Sequence, residues 1–304
     1  MKETPPPVGQ AIDLEPGLRR ILAPNASPMT YWGTNTYLIG NDSVAVIDPG
    51  SDDPAHIRAI LAATNNGKSL THIVVTHAHV DHSLGARPLA EATGAPVYAY
   101  GTATTGQSEL MARLVTEGLE SGGEGIDADF APDRILADGD TIETEDWSLT
   151  AIWTPGHLSN HICLAWNDSL FSGDHVMGWA TSIVSPADGD LGAFMASCER
   201  LAARNDRIFY PGHGNPVLEP QERTCWLINH RKGREQQILE HLAQKPMTPQ
   251  DLVELMYSDV PKSLFGAAKR NVFAHLIDLT ERKIVEPTDK LSDRSIFMLA
   301  SEKK

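Results

Sequence analysis

The side chains best suited to chemistry in this chain are histidines and aspartates, and they are grouped. His77, His79 and His82 stand with Asp81 inside one run, Thr76-His77-Ala78-His79-Val80-Asp81-His82. The run follows Ile73-Val74-Val75, an apolar stretch of the kind found in strands buried on both faces. In extended backbone His77 and His79, two apart, project to the same side. Asp81 and His82 then fall at the turn into the next helix and face the same space from another angle. Three imidazoles and a carboxylate this close suit a borderline divalent metal. As plain core residues they would repel one another on protonation and leave ring nitrogens unpaired.

Three later strand ends each add one ligand-type side chain: His157 in Thr154-Pro155-Gly156-His157, Asp174 in Ser172-Gly173-Asp174, and His213 in Tyr210-Pro211-Gly212-His213-Gly214. Singly, a Gly-His after a strand reads as a turn. Jointly with the His77 cluster they read as a metal centre beyond strand ends, where α/β sheets build their sites. His161 and His175 flank these ligands and are candidates for catalytic proton donation or for contacts that hold the ligands. Trp179, Thr181 and Ser182 are expected on a loop lining the site. His56, His72, His230, His241 and His275 are assigned to core or surface.

The elements that must position these groups alternate. Two strands over 35–39 and 44–47, joined by Gly40-Asn41-Asp42, predict a hairpin. Pro54 opens a helix after Asp52 and Asp53, strands follow at 70–76 and 97–100, and a helix over 84–93 stops at Gly94. Residues 101–131 are mixed, with Ser121-Gly122-Gly123 and Gly125 marking a flexible loop. Short runs near 134–136, 141–143, 149–153, 162–166 and 170–172 predict an antiparallel meander, followed by a helix at 191–204 and a strand at 208–210. Helices over 223–243, 248–257 and 267–281 and a hairpin from 284–285 and 296–299 give a winged-helix pattern. The expected division is a Pro-rich arm (1–11), an α/β body of two sheets with outer helices (12–222), and a winged-helix unit (223–304).

With these motifs in order, and Asp48 of Ile47-Asp48-Pro49-Gly50 counted as the first, the chain resembles the metallo-β-lactamase superfamily over about residues 12–222. The resemblance implies a four-layer αββα sandwich. It implies one metal held by His77, His79 and His157, a second held by Asp81, His82 and His213, and Asp174 bridging the two. Asp48 is then a structural tie beneath the metals. Asp174 where a cysteine could stand, with His213 as third ligand of the second site, looks like the glyoxalase II and nuclease branches rather than true β-lactamases. The tail resembles the β-lactamase-like branch that includes single-strand endoribonucleases. Two divalent ions are implied, zinc first, with iron or manganese as alternatives. A water shared between them, its pKa brought down to about 7, would be the hydroxide nucleophile. Asp81 would orient it and so count as catalytic as well as ligating.

Composition narrows the function classes. The chain has 304 residues, 41% hydrophobic and 21% charged, enough apolar mass for a full core. No stretch approaches the roughly 20 apolar residues of a membrane span, and the first residues lack the apolar run of a secretory signal. Three scattered cysteines exclude a disulfide framework and point to a reducing, cytoplasmic setting. The net charge of -15 is uneven: 29 acidic against 11 basic groups up to residue 222, then 11 against 14. An acidic body disfavours a phosphate backbone. A small acyl compound (thioester, ester or lactone) therefore leads as substrate. A single-strand endoribonuclease is the alternative, with Arg231-Lys232-Gly233-Arg234 or Lys269-Arg270 touching phosphate, and a metal-sensing DNA-binding regulator is a third reading. The tail is expected to pack on the body as a wall of the pocket, or to form a homodimer contact.

Overall fold

The computed structural model describes residues 4–120, 125–258 and 261–301. Its first sheet runs in chain order: β1 (Ile12–Glu15), β2 (Leu18–Leu22), β3 (Asn35–Ile39), β4 (Val44–Ile47), β5 (Leu70–Val74), β6 (Val97–Ala99) and β7 (Arg134–Ile135). It is antiparallel from β1 to β4 and parallel beyond. On its outer face lie α1 (Pro54–Ala63), α2 (Val80–Ser83) and α3 (Ala86–Thr93), while α4 (Glu109–Thr116) lies further along the chain. The helix signals act as expected: the Asp53 side chain caps α1 with Pro54 in the first turn, and Gly94 closes α3 in the left-handed conformation at φ 75°.

The second sheet is ordered β12 (Ile208–Pro211), β11 (Ser169–Gly173), β10 (Ile162–Trp166), β9 (Ser148–Trp153), β8 (Thr141–Glu143), with α5 (Leu191–Ala202) outside it. The two sheets face each other through Tyr37, Ile47, Val74, Leu149, Ile162, Phe171 and Tyr210. A separate apolar layer, including Leu38, Val46, Ile60, Ile73 and Leu89, seals the first sheet under its helices. Ile152, Leu170, Leu201 and Phe209 do the same for the second sheet. The result is the αββα sandwich.

Four local expectations are corrected. The 134–136 run is not part of the meander: β7 pairs parallel with β6 at the edge of the first sheet. The stretch after residue 100 contains α4, whose Ser108 caps it by accepting from Met111 N. The helix expected over 84–93 spans Ala86–Thr93, with the separate short α2 before it; between them Gly85 packs so close to the carbonyls of Pro49 and Gly50 that a Cβ there would lie 2.5 Å from Pro49 O. The arm is tied at its end, where Gly9 N donates to Leu22 O at 2.9 Å. The Ser121-Gly122-Gly123 loop lies outside the described residues.

Beyond the sandwich come α6 (Pro220–Leu242), α7 (Pro249–Met256), α8 (Phe265–Glu281) and the antiparallel pair β13 (Val285–Pro287) and β14 (Phe297–Leu299). A Thr248–Asp251 capping box starts α7. The winged helix has its own core, including Ile238, Leu242, Leu252, Leu276 and Phe297, and Met111 and Leu114 of α4 pack into it. Helix α6 is common property. Its Leu227 is buried with Leu201 and Phe209, Ile228 with Phe194 and Ala274, and Ile238 with the wing. We expect Leu227→Ala to destabilise the chain by about 2–5 kcal/mol. Because α6 spans both units, urea unfolding of this variant should stay a single transition, with circular dichroism and tryptophan fluorescence coincident; separated transitions would contradict the shared core.

Candidate metal centre

The site is assembled at one edge of the sandwich. Past β5 the chain bends at Thr76 and His77 and is extended again at His79, which brings the two rings to 4.7 Å, and α2 then turns Asp81 and His82 inward. His157 follows β9, Asp174 follows β11 and His213 follows β12, each on the first residues after its strand. The structure thus brings together all seven residues expected to ligate. Among the described residues three groups have ligand atoms within 4.8 Å of one another: His77, His79 and His157; His77, His82 and Asp174; Asp81, His82 and His213.

Hydrogen bonds at the outer nitrogens fix which way the lone pairs point. His157 Nδ1 donates to Ile183 O at 2.7 Å, and His213 Nδ1 donates to Gly33 O at 3.2 Å. His82 Nδ1 donates to Asp48 Oδ2 at 2.9 Å. Thr76 Oγ1 gives its proton to Asp48 Oδ2 at 2.8 Å, so it accepts from His77 Nδ1 at 3.0 Å. Four Nε2 atoms are therefore turned inward, those of His77 and His157 as bare acceptors and those of His82 and His213 toward the carboxylates of Asp81 and Asp174. They crowd: His77 Nε2 is 2.9 Å from His79 Nδ1, which is 3.1 Å from His157 Nε2, and the Nε2 atoms of His82 and His213 are 3.3 Å apart. Ring nitrogens gathered this closely beside two carboxylates make a donor set that a divalent cation would fill.

Electrostatics agree. Burial pushes His77 and His157 below the usual imidazole range and His79 down to about 3, so these rings stay neutral. Burial works the same way on His213, but Asp174 and Asp81 outweigh it and lift it to about 9. His82 is likewise raised against its burial by Asp81, Asp174 and Asp48. Asp174 stands between the groups: Oδ2 is 3.3 Å from His213 Nε2 and 3.7 Å from His157 Nε2, while Oδ1 is 3.5 Å from His82 Nε2. Its Oδ1 is buried without a hydrogen-bond partner, an orphan that a cation would satisfy. The backbone leaves room for it. A Cβ on Gly212 would lie 2.4 Å from that oxygen and 2.7 Å from His82 Cε1. Donor types, orientation and the orphaned oxygen all fit divalent metal.

Of the supporting residues, Asp48 takes the expected place as a structural tie beneath the cluster, whereas Thr34 and Asn35 were not foreseen. Asp48, at φ 50°, accepts from Thr76 N at 2.8 Å as well as from Thr76 Oγ1 and His82, tying the ligand run to β4. Thr34 donates to Asp81 Oδ2 at 3.0 Å, and Asn35 holds the His213 loop through Pro211 O at 3.0 Å and Gly214 O at 2.8 Å. Short polar residues before a strand gave no distinguishing signal for these two. His161 and His175 are placed behind the centre. His161 takes a proton from Asp174 N at 3.2 Å through Nε2 and contacts Thr154 Oγ1 at 2.8 Å through Nδ1, so both nitrogens are in use. His175 packs on Phe194 at 4.4 Å and lies 3.5 Å from Cys198 Sγ. Both are fully buried and neither lines the cavity, which corrects the expectation of direct proton donation.

That cavity, about 480 Å³, has His79, Asp81, His157, Asp174 and His213 on its floor. Met177, Trp179, Ala180 and Ile183 form one wall. Tyr257, Leu264, Ala267, Ala268, Arg270 and Asn271 of the winged helix form the opposite one. The tail is a wall of the pocket, as expected. Beside the mouth, Tyr31 stacks on Trp32 at 4.4 Å and on Trp179 at 4.7 Å.

Residues 29–213 match the metallo-beta-lactamase superfamily and residues 248–294 match the beta-lactamase associated winged helix domain. The chain belongs to the metallo-β-lactamase superfamily and is a metal-dependent hydrolase carrying that winged-helix domain. It is 34% identical over 271 residues, 86% of each chain, to the "Beta-lactamase-like protein 2 homolog" of Drosophila melanogaster. It is 29% identical over 245 residues, 79% of this chain and 67% of the relative, to an "Atrochrysone carboxyl ACP thioesterase" of a Cryptosporiopsis species. In fold it is similar to a beta-lactamase domain protein from Burkholderia ambifaria, with TM-score 0.80 at 20% identity over 98% of this chain and 96% of the other. A metallo-beta-lactamase family protein from Thermus thermophilus gives TM-score 0.75 at 23% identity, over 94% and 100%.

Because Asp48 orients His82 and, through Thr76, His77, Asp48→Asn is expected to lower metal affinity on the order of 10- to 100-fold. Metal content after dialysis against a graded chelator series measures this, and unchanged retention would contradict the role.

Proposed function

We propose that the chain is a dinuclear metal hydrolase acting on a small acyl compound, a thioester first and an ester or lactone next. One observation carries the substrate class: the ligand cluster opens into a cavity walled mainly by apolar side chains from two units, Met177, Trp179 and Ile183 against Leu264 and Ala268. Walls of this kind suit an apolar acyl group. Thioesterase-named relatives support the same reading.

The two sets sharing Asp174 support two ions. Zinc is our assignment from the His/Asp donors, and iron or manganese would suit them too. When bound, such a pair polarises an acyl carbonyl and acidifies water, bringing its pKa to roughly 7. The chain's own groups do the rest. Asp81 is 22% exposed at the cavity floor, and Thr34 fixes its Oδ2 by a hydrogen bond. It is placed to orient attacking water and hold its proton. The apolar walls exclude bulk water from the acyl group. His161 and His175 steady the ligand loops.

No described helix is long and apolar enough to cross a membrane. We place the chain in the cytoplasm, on the strength of three cysteines that form no disulfide among the described residues.

The stacked rings of Tyr31, Trp32 and Trp179 beside the mouth favour a second reading, a single-strand endoribonuclease, since unpaired bases stack on such surfaces. Metal-loaded protein assayed on an acyl thioester, a lactone, bis(p-nitrophenyl) phosphate and single-stranded RNA separates the readings. We expect the thioester to be turned over fastest, and phosphodiester cleavage without acyl hydrolysis would reverse the order. Elemental analysis should give two metals per chain, and a content of one or fewer, unchanged by added zinc, iron or manganese, would end the dinuclear reading. Asp81→Ala should lower kcat on the order of a hundredfold or more while leaving the fold intact by circular dichroism. Wild-type turnover at full metal content would remove Asp81 from the reaction.

A further inference from the structure

The segment after Asp174 has no regular secondary structure between residues 177 and 184. Its backbone groups must find partners elsewhere, and the partners it finds are side chains of α6 and α8. Arg223 donates from Nε to Met177 O at 2.7 Å and from Nη2 to Ala180 O at 2.7 Å. Arg231, eight residues further along α6, donates from Nη2 to Ser182 O. Its Nη1 donates to Asn271 Oδ1 at 2.9 Å, and the same oxygen accepts from Val184 N at 3.1 Å. Residues 182 and 184 are thus gripped from both helices.

Between those two points lies the connection to the metal ligands. Ser182 Oγ donates to Asp174 O, with His175 O also in reach at 2.9 Å. Ile183 O accepts from His157 Nδ1 at 2.7 Å, the bond that turns His157 Nε2 toward the cluster. One short segment therefore orients the ring of a ligand of the first group and anchors the backbone of the residue whose carboxylate is shared between groups. What fixes that segment is a guanidinium only 3% exposed that makes no ion pair among the described residues. Burying a cation this way is unfavourable unless its donors are well used. Here Nη1 and Nη2 are spent on Asn271 and on the loop, Nε is buried without a partner, and the face of the group lies 5.3 Å from the Phe194 ring.

We infer that Arg231 and Asn271 are positioning residues of the metal centre, through which α6 and the winged helix set the orientation of His157 and Asp174. The winged helix is then part of the metal site as well as a wall of its cavity. This rests on the metal-centre reading, but not on the substrate class.

Full-length Arg231→Met, Arg231→Lys and Asn271→Ala are compared with wild type and with Arg282→Ala, which removes a surface arginine paired to Glu235 and Asp278. Three quantities are read: zinc affinity by competition with a chromophoric chelator, the visible spectrum after cobalt substitution, and the melting temperature of the metal-free protein. Arg231→Met and Asn271→Ala should lose zinc affinity on the order of 10- to 100-fold and shift the cobalt bands. Arg231→Lys should recover part of both, and Arg282→Ala should match wild type. Should Arg231→Met fail to fold, Asn271→Ala and Arg231→Lys carry the comparison. Affinity within twofold of wild type in both of those would overturn the inference, as would losses in every variant that merely follow melting temperature. Wild type that takes up no zinc, iron or manganese would instead remove the metal reading beneath it.

Discussion

Imidazole nitrogens facing one another across about 3 Å are the constraint around which this molecule is built. Left alone, such an arrangement would relax by rotating rings or taking up protons. Rotation is blocked, because each outer nitrogen of His77, His82, His157 and His213 is committed to an acceptor in the surrounding fold, whereas Asp81 and Asp174 favour proton uptake at His82 and His213. Burial disfavours protonation at His77, His79 and His157. The frustration is thus held in place by the scaffold, and a divalent cation resolves it together with the orphaned oxygen of Asp174. Charge balance points the same way, since Asp81 and Asp174 face the cluster while Asp48 lies behind it.

The sandwich explains how such tension is sustained. Ligand-bearing loops leave β5, β9, β11 and β12, whose central residues are packed against the opposite sheet. A loop emerging from a rigid strand end can hold a side chain within a few tenths of an ångström, the tolerance a metal site demands. Cross-ties then join the two sheets at this edge: Asn35 of β3 bonds the carbonyls around His213, and Tyr37 Oη donates to Pro211 O at 2.7 Å. The third support comes from α6. Its arginines reach over the second sheet to carbonyls that no strand could have satisfied.

Much of this was legible from the chain. The ligands announced themselves because metal ligation needs particular residue types at tight spacing, as in the His77–His82 run, and because Gly-His and Gly-Asp after a strand recur at each site. The winged helix was legible from amphipathic spacing and from the Thr248-Pro249 start. What escaped notice was decided by long-range packing. Nothing local separates β7 from the meander, because parallel pairing with β6 depends on where the sheet edge lies. Arg231 sits in Arg231-Lys232-Gly233-Arg234, which reads as a basic surface patch; only the docking of α6 against the 177–184 segment buries it. His161 and His175 looked catalytic because they are neighbours of ligands in sequence. Adjacency in a strand or turn sends alternate side chains to opposite sides, and these two point into the core.

Division of labour between the two units follows from the same geometry. The seven-residue cluster belongs to the sandwich, whereas part of the cavity wall comes from residues 257–271. Chemistry and enclosure are therefore encoded largely in different stretches of chain, which meet through α6, through the α8 contacts of Asn271 and Ala274, and through Met111 and Leu114 of α4. Changes in the winged helix at Leu264 or Ala268 can reshape the pocket without touching a ligand. Changes at Arg231 or Asn271 cannot, because there the wall and the metal centre share the same hydrogen bonds. Substrate range is free to drift along one part of α8 and is held fixed one helical turn away, at the residue that grips Val184.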